Sequence, residues 1–157
     1  YYFGTKENLF STAIAETFRS RGLPNLLAER STSGEGSPGT RYLLAVLTAL
    51  EDPRVGPAFI GLARGLGTHE ESRRIFLRFV SEELIGRLAP QLDSDQAEAR
   101  VSLAGSQLLG LVIGRYVLKV PPLAELSISQ VASTAGPTLD RYILGDLDWN
   151  TESDRIA

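Results

Sequence analysis

Pairs of carboxylates are the residues of this sequence whose type and spacing suit acid–base chemistry. They are Glu70-Glu71, Glu82-Glu83 and Asp93 with Asp95. The single histidine, His69, lies beside the first pair, inside a Thr68–Glu71 pattern that is typical of a helix capping box. Carboxylates at the starts of helices or on their outer faces usually interact with the helix dipole or with solvent. We therefore assign none of these residues a catalytic role.

Composition excludes several further kinds of site. The sequence has no cysteine, which rules out disulfides, thiolate nucleophiles and cysteine-based metal sites. One histidine cannot form a histidine-rich metal site, and the sequence contains no GxGxxG, P-loop or HExxH motif. We therefore expect neither an enzyme nor a metal or cofactor site. The net charge of −3 makes these residues alone a poor DNA-binding surface.

Helical periodicity dominates the sequence. Apolar residues recur every three to four positions over 6–20, 40–50, 57–66, 70–88, 95–119 and 127–144. Ser127 and Gln130 form a second capping box, and Gly136-Pro137 should kink or break the last helix. No segment alternates with a period of two, so the sequence predicts an all-α fold, an antiparallel bundle of about six helices. The longest apolar run, 108–120, contains Arg115 and Lys119, so no membrane span is predicted.

Aromatic and aliphatic side chains on the predicted central helices are candidates for a ligand cavity. Ligand pockets are mostly apolar, with a few polar groups that orient the ligand, although each of these residues also suits an ordinary core. Polar Gln107 and Arg115 lie among apolar neighbours and need partners, in a cavity or across an interface. The predicted pocket residues are Phe59, Leu62, Phe76, Phe79, Leu103 and Gln107.

Small residues spaced by four form a ridge on the long helix 95–119 and permit close approach of another helix. The ridge consists of Ser102, Ser106, Gly110 and Gly114. The ridge either packs within the chain or meets its copy in a dimer. We favour a two-fold symmetric dimer, because this helix is apolar on too many sides for a monomer. The predicted interface comprises Ser106, Gly110, Ile113, Gly114 and Val117, with Leu139, Tyr142 and Ile143 of the last helix.

Two stretches resemble TetR-family transcriptional repressors. The opening run YYFGTKENLF is similar to the hinge of that family, in which the recognition helix ends in an aromatic turn and a connector helix follows. The stretch SQLLGLVIGRYVLKVPPLAEL, followed by PTLDRYILG, looks like the C-terminal regulatory domain common in actinobacterial members. The resemblance implies a TetR-type regulatory bundle that forms a homodimer and binds a small-molecule effector.

The resemblance also implies a helix-turn-helix DNA-binding domain ahead of Tyr1. Residues 1–4 would be its end, 5–145 the ligand-binding and dimerisation domain, and 146–157 a polar tail. The family's phosphate contacts fall on Tyr1, Tyr2 and Lys6, although the family often has histidine at the position of Tyr2. The absence of methionine fits a portion of a longer protein.

The expected function is that of a cytoplasmic, ligand-responsive repressor. It would bind operator DNA as a dimer and be released by a small apolar effector. Two alternatives have no DNA-binding role: a helical carrier of small molecules, which would have a similar pocket, and a helical interaction module, which would have none.

Overall fold

The computed structural model describes residues 36–149. The DNA contacts predicted at Tyr1, Tyr2 and Lys6, and the helix predicted over 6–20, lie outside the described residues. So does the end of the predicted polar tail. The described residues therefore all fall within the predicted regulatory bundle and the beginning of the predicted tail.

Six α-helices make up the described part of the chain, which contains no strand and so confirms the all-α prediction. They are α1 (Pro38–Leu50), α2 (Gly56–Gly65), α3 (Glu70–Phe79), α4 (Ala97–Val112), α5 (Pro121–Ala124) and α6 (Ile128–Leu144). A π-helical segment, Val80–Leu88, and a 3₁₀ turn, Ala89–Gln91, extend α3. A second π-helical segment, Ile113–Val117, extends α4. None of the helices described is both long and apolar enough to cross a bilayer.

Helix α1 lies at the centre of the bundle and packs mainly against α6. Its inward face is Leu43, Val46, Leu47 and Leu50, all essentially inaccessible to solvent. Around it lie Phe59 and Leu62 of α2, Phe79 of α3, Val112 of α4, and Val131 and Leu139 of α6. Burying one such leucine stabilises the fold by roughly 1.5–3 kcal/mol, so this contiguous core is the main reason that the helices associate.

Two predicted helix signals turned out differently. Helix α3 begins at Glu70 after His69, and no side chain caps it, so the predicted Thr68 capping box is wrong. The Thr68 hydroxyl instead shares a hydrogen bond of 2.8 Å with His69 Nδ1. At the other position, α6 continues through Pro137, so the predicted break is wrong, whereas the predicted kink stays a prediction. Buried residues on both sides of Pro137 hold the two halves of the helix on one core.

The capping box predicted at the start of α6 is confirmed. The Ser127 hydroxyl accepts a hydrogen bond from the Gln130 amide at 3.1 Å. In return, Gln130 Oε1 accepts from the Ser127 amide at 2.9 Å. These two bonds satisfy amides that would otherwise have no partner in the first turn of the helix.

Candidate ligand-binding site

Two neighbouring apolar cavities lie inside the bundle. The first, of about 40 Å³, is lined by Tyr42, Val46, Phe59, Phe76, Phe79, Leu84, Gly105, Leu108, Leu109 and Val112. The second, of about 30 Å³, is lined by Tyr42, Leu84, Leu88, Val101, Ala104, Gly105, Leu108, Leu139 and Ile143. Four residues contribute to both walls: Tyr42, Leu84, Gly105 and Leu108. Each cavity is large enough for about one water molecule.

Aromatic rings form one side of the first cavity. The rings of Phe59 and Phe79 meet edge to face, with their centroids 6.2 Å apart and an interplanar angle of 77°. Phe59 comes from α2 and Phe79 from the end of α3, so the ring pair joins these two helices. Edge-to-face pairs add favourable quadrupole contacts to apolar burial, so this ring pair strengthens the contact between the two helices.

The opposite side comes from the π-helical extension of α3 and from α4. Leu84 lies in that extension, and a Cβ added to Gly105 would lie 3.5 Å from Leu84 Cδ1. Because Gly105 has no side chain, the two cavities approach each other at this point. Extended turns of π-helix are uncommon and often occur beside functional sites, where they redirect side chains.

Tyr42 of α1 is the polar member of the wall. Among the described side chains that line the two cavities, it alone carries a polar atom. Burial raises the pKa of its hydroxyl to about 12, so the group is protonated and able to donate at neutral pH. No hydrogen bond links this hydroxyl to any residue of the described chain.

Half of the predicted pocket residues meet at this site. Phe59, Phe76 and Phe79 line the first cavity. Leu62 is buried in the adjoining core, whereas Leu103 is 37% exposed on the outer side of α4 and Gln107 is half-buried. Neither of these two residues of α4 lines a cavity.

The cavities are lined by a different face of α4 from the one that carries the predicted Leu103 and Gln107. The face that lines the cavities carries Gly105, Leu108, Leu109 and Val112, which have ideal helical spacing. Tyr42 was also missed, although it lies four residues before Val46 on the core face of α1. The helical spacing of these residues could have identified them as cavity-lining. Because α4 carries apolar residues on every side, its sequence does not show which face lines the cavities.

The predicted dimer residues fall into two groups. Ser106 and Gly110 are exposed, and the space beside Gly110 is open, while Ile113, Gly114, Val117 and Tyr142 are half-buried. Leu139 and Ile143 are each only 3% exposed, because they face the core of their own chain. These two residues are therefore not available to a partner in this conformation.

Arg115 finds its partners within the chain rather than in a cavity. It is 8% exposed, and its Nη1 donates to the carbonyl oxygens of Leu123 at 2.9 Å and Leu126 at 2.6 Å. Its Nη2 donates to Glu51 Oε1 at 3.2 Å, and the Tyr116 hydroxyl donates to the same oxygen at 3.0 Å. The guanidinium thus fastens the end of α1 to the connection around α5.

A more open and polar cleft of about 610 Å³ lies at the end of α6, beside Asp93, Asp95 and Asp146. Arg100 in its wall is 5% exposed and donates to the carbonyl oxygens of Tyr142 at 3.1 Å and Gly145 at 2.7 Å. Because this guanidinium already has acceptors and the other wall charges are negative, the cleft offers nothing to an anion. Within the described ranges, no three histidine or acidic residues group as metal ligands.

Comparisons with known proteins bear on the bundle as a whole. The family model described as "Tetracyclin repressor-like, C-terminal domain" matches residues 37–143. The match begins at the cap of α1 and ends inside α6, so it includes both cavities and the small-residue ridge. Searches among curated proteins and among solved structures each gave no match.

Proposed function

We propose that this chain, which belongs to the tetracycline repressor-like C-terminal domain family, is the effector-binding and dimerisation part of a transcriptional repressor. The family is one of ligand-responsive transcription regulators, a kind of domain that is not enzymatic. The observation that carries the proposal is the pair of apolar cavities between α1, α2, α3, α4 and α6. A small apolar effector is the ligand that such walls suit.

The small size of the cavities suggests how an effector acts. Pockets for drug-sized ligands have volumes of roughly 300–1,000 Å³, whereas each cavity holds about one water molecule. The effector therefore binds a conformation in which the walls have separated. A ligand that binds one conformation better than another shifts the population towards it.

Separation of the walls would move α1 and α3 relative to α4. Since α4 also carries the exposed ridge, this movement would change the geometry of a dimer built on it. The spacing of two DNA-binding units attached to the dimer would change with it. Effector and operator would then oppose each other through a coupling free energy, typically 1–3 kcal/mol.

The proposed dimer interface uses the accessible part of the ridge. Ser106 and Gly110 would form its centre, with Ile113, Gly114 and Val117 beside them and Tyr142 from α6. Sedimentation equilibrium at tens of micromolar protein tests this; a monomer at that concentration would refute the interface. Gly110→Glu, which adds a charge where space is open, should yield monomers without unfolding the chain.

DNA binding is proposed through a helix-turn-helix unit on the N-terminal side, with Tyr1, Tyr2 and Lys6 at phosphates. An electrophoretic mobility shift with the full-length protein and the DNA upstream of its own gene tests the whole proposal. We expect a shift that is lost at high salt, because phosphate contacts depend on ionic strength. Absence of any mobility shift at moderate salt would refute the proposed repressor function.

A further inference from the structure

We infer that the effector is an uncharged, mainly aromatic molecule with a hydrogen-bond acceptor, and that the Tyr42 hydroxyl is the group that binds this acceptor. The inference rests on the proposed function, because it assumes that the cavities are the effector site. It goes further by assigning the ligand's chemical class and a specificity-determining residue.

The chemistry of the walls excludes charged effectors. The lining side chains in the described chain are aliphatic or aromatic, apart from glycine at Gly105 and the phenol of Tyr42, and none is charged. A carboxylate or an ammonium group that entered would lose its hydration and find no counter-charge in these walls, so its binding is disfavoured. Neutral molecules lose no charge hydration on entering the cavities.

The Tyr42 hydroxyl is the group in these walls that can bind an acceptor. Tyrosine hydroxyls in apolar surroundings usually form a hydrogen bond. Here the hydroxyl has no partner among the described residues, although Tyr42 contributes to the walls of both cavities. A ligand acceptor between the cavities would supply the partner. Burial keeps the pKa of this phenol near 12, so it stays a donor across the physiological range.

The aromatic side of the first cavity favours a ring in the ligand. Phe59 and Phe79 already meet edge to face, and Phe76 lies beside them. A ligand ring between these side chains would continue the same arrangement, with favourable contacts beyond simple area burial. The ligand's acceptor would then lie on the side of α1, where Tyr42 is.

Three small probes that share one ring test the inference. Acetophenone carries a carbonyl acceptor, ethylbenzene has a methylene in its place, and benzoate is charged. Their affinities for the whole chain are measured by protein-observed NMR titration, in wild type and in Tyr42→Phe, which removes only the hydroxyl. Tyr116→Phe is the matched control, because Tyr116 is also a half-buried tyrosine but lines neither cavity.

We expect Tyr42→Phe to weaken acetophenone binding by about fivefold, the effect of one neutral hydrogen bond. Ethylbenzene should bind both proteins equally, Tyr116→Phe should change neither affinity, and benzoate should not bind. Equal acetophenone affinity in wild type and Tyr42→Phe would overturn the inference, as would benzoate binding or no binding of either neutral probe. None of these outcomes depends on DNA, so the mobility-shift experiment still decides the proposed function separately.

Discussion

Gly39 of α1 and Gly136 of α6 approach each other so closely that a methyl group on either would clash with the opposite helix. The Gly39 amide also donates a hydrogen bond of 2.7 Å to Asp140 Oδ1, one turn further along α6. This contact fixes the start of α1 on α6. It therefore sets the position of Tyr42, three residues further on, in the cavity wall.

Gly136→Ala should lower the free energy of unfolding by about 1–3 kcal/mol, the usual cost of overpacking a tight contact. The added methyl group would meet the backbone of Thr40, which cannot move without displacing α1. Chemical denaturation measures the change. Gly61→Ala is the control: it lies within α2 with open space around it, and should raise stability by up to about 1 kcal/mol. Equal stability of the two variants would contradict the close approach.

Arg115→Met should destabilise the chain by about 2–4 kcal/mol, because the carbonyl oxygens of Leu123 and Leu126 lose their donor in a buried place. Glu51→Gln should cost less than about 1 kcal/mol, since the Glu51 side chain is 42% exposed and water solvates it. Urea unfolding of both variants compares the contribution of the carbonyl hydrogen bonds with that of the ion pair. If they cost the same, the ion pair rather than the carbonyl contacts would hold this connection together.

Stability should fall at alkaline pH because of Tyr42. Burial raises the pKa of its hydroxyl from 10.0 to about 12, so the folded state holds this proton more tightly than the unfolded state. The resulting stabilisation is complete below pH 10 and is lost as the pH rises from about 10 to about 12. Unfolding free energies across this range should decline less steeply in Tyr42→Phe than in wild type. Parallel declines would show that the phenol titrates normally.

Gly105→Ala should stabilise the chain and weaken ligand binding at the same time. Its methyl group would lie in ordinary contact with Leu84 Cδ1, at 3.5 Å, and would replace a glycine inside α4. We expect a gain of up to about 1 kcal/mol in thermal or chemical denaturation. Acetophenone titration should show reduced affinity, because the methyl group occupies the shared wall. Unchanged affinity in a stabilised variant would locate the ligand elsewhere.

Sequence patterns predicted the structure where the deciding interaction lies within one helical turn. Ser127 and Gln130 form the predicted capping box because both partners lie within one helical turn, so no distant residue is needed. The capping box predicted at Thr68 does not form. The Thr68 hydroxyl instead shares a hydrogen bond with the imidazole of His69, and the helix begins one residue later than predicted. The three phenylalanines predicted for a pocket lie together in one cavity wall, since α2 and α3 each have one clear apolar face.

The sequence by itself determined that residues 36–149 are all-α and where most of their helices begin and end, because caps, helix breakers and apolar spacing are local properties. It also determined which family the chain resembles. Only the tertiary structure decided how α4 and α6 are rotated. A helix that is apolar on every side has no preferred face until its neighbours close around it. That rotation buries Leu139 and Ile143 in their own chain and places Gly105 beside Leu84. The same packing gives Tyr42 its apolar surroundings, since its neighbours there come from helices far apart in the sequence.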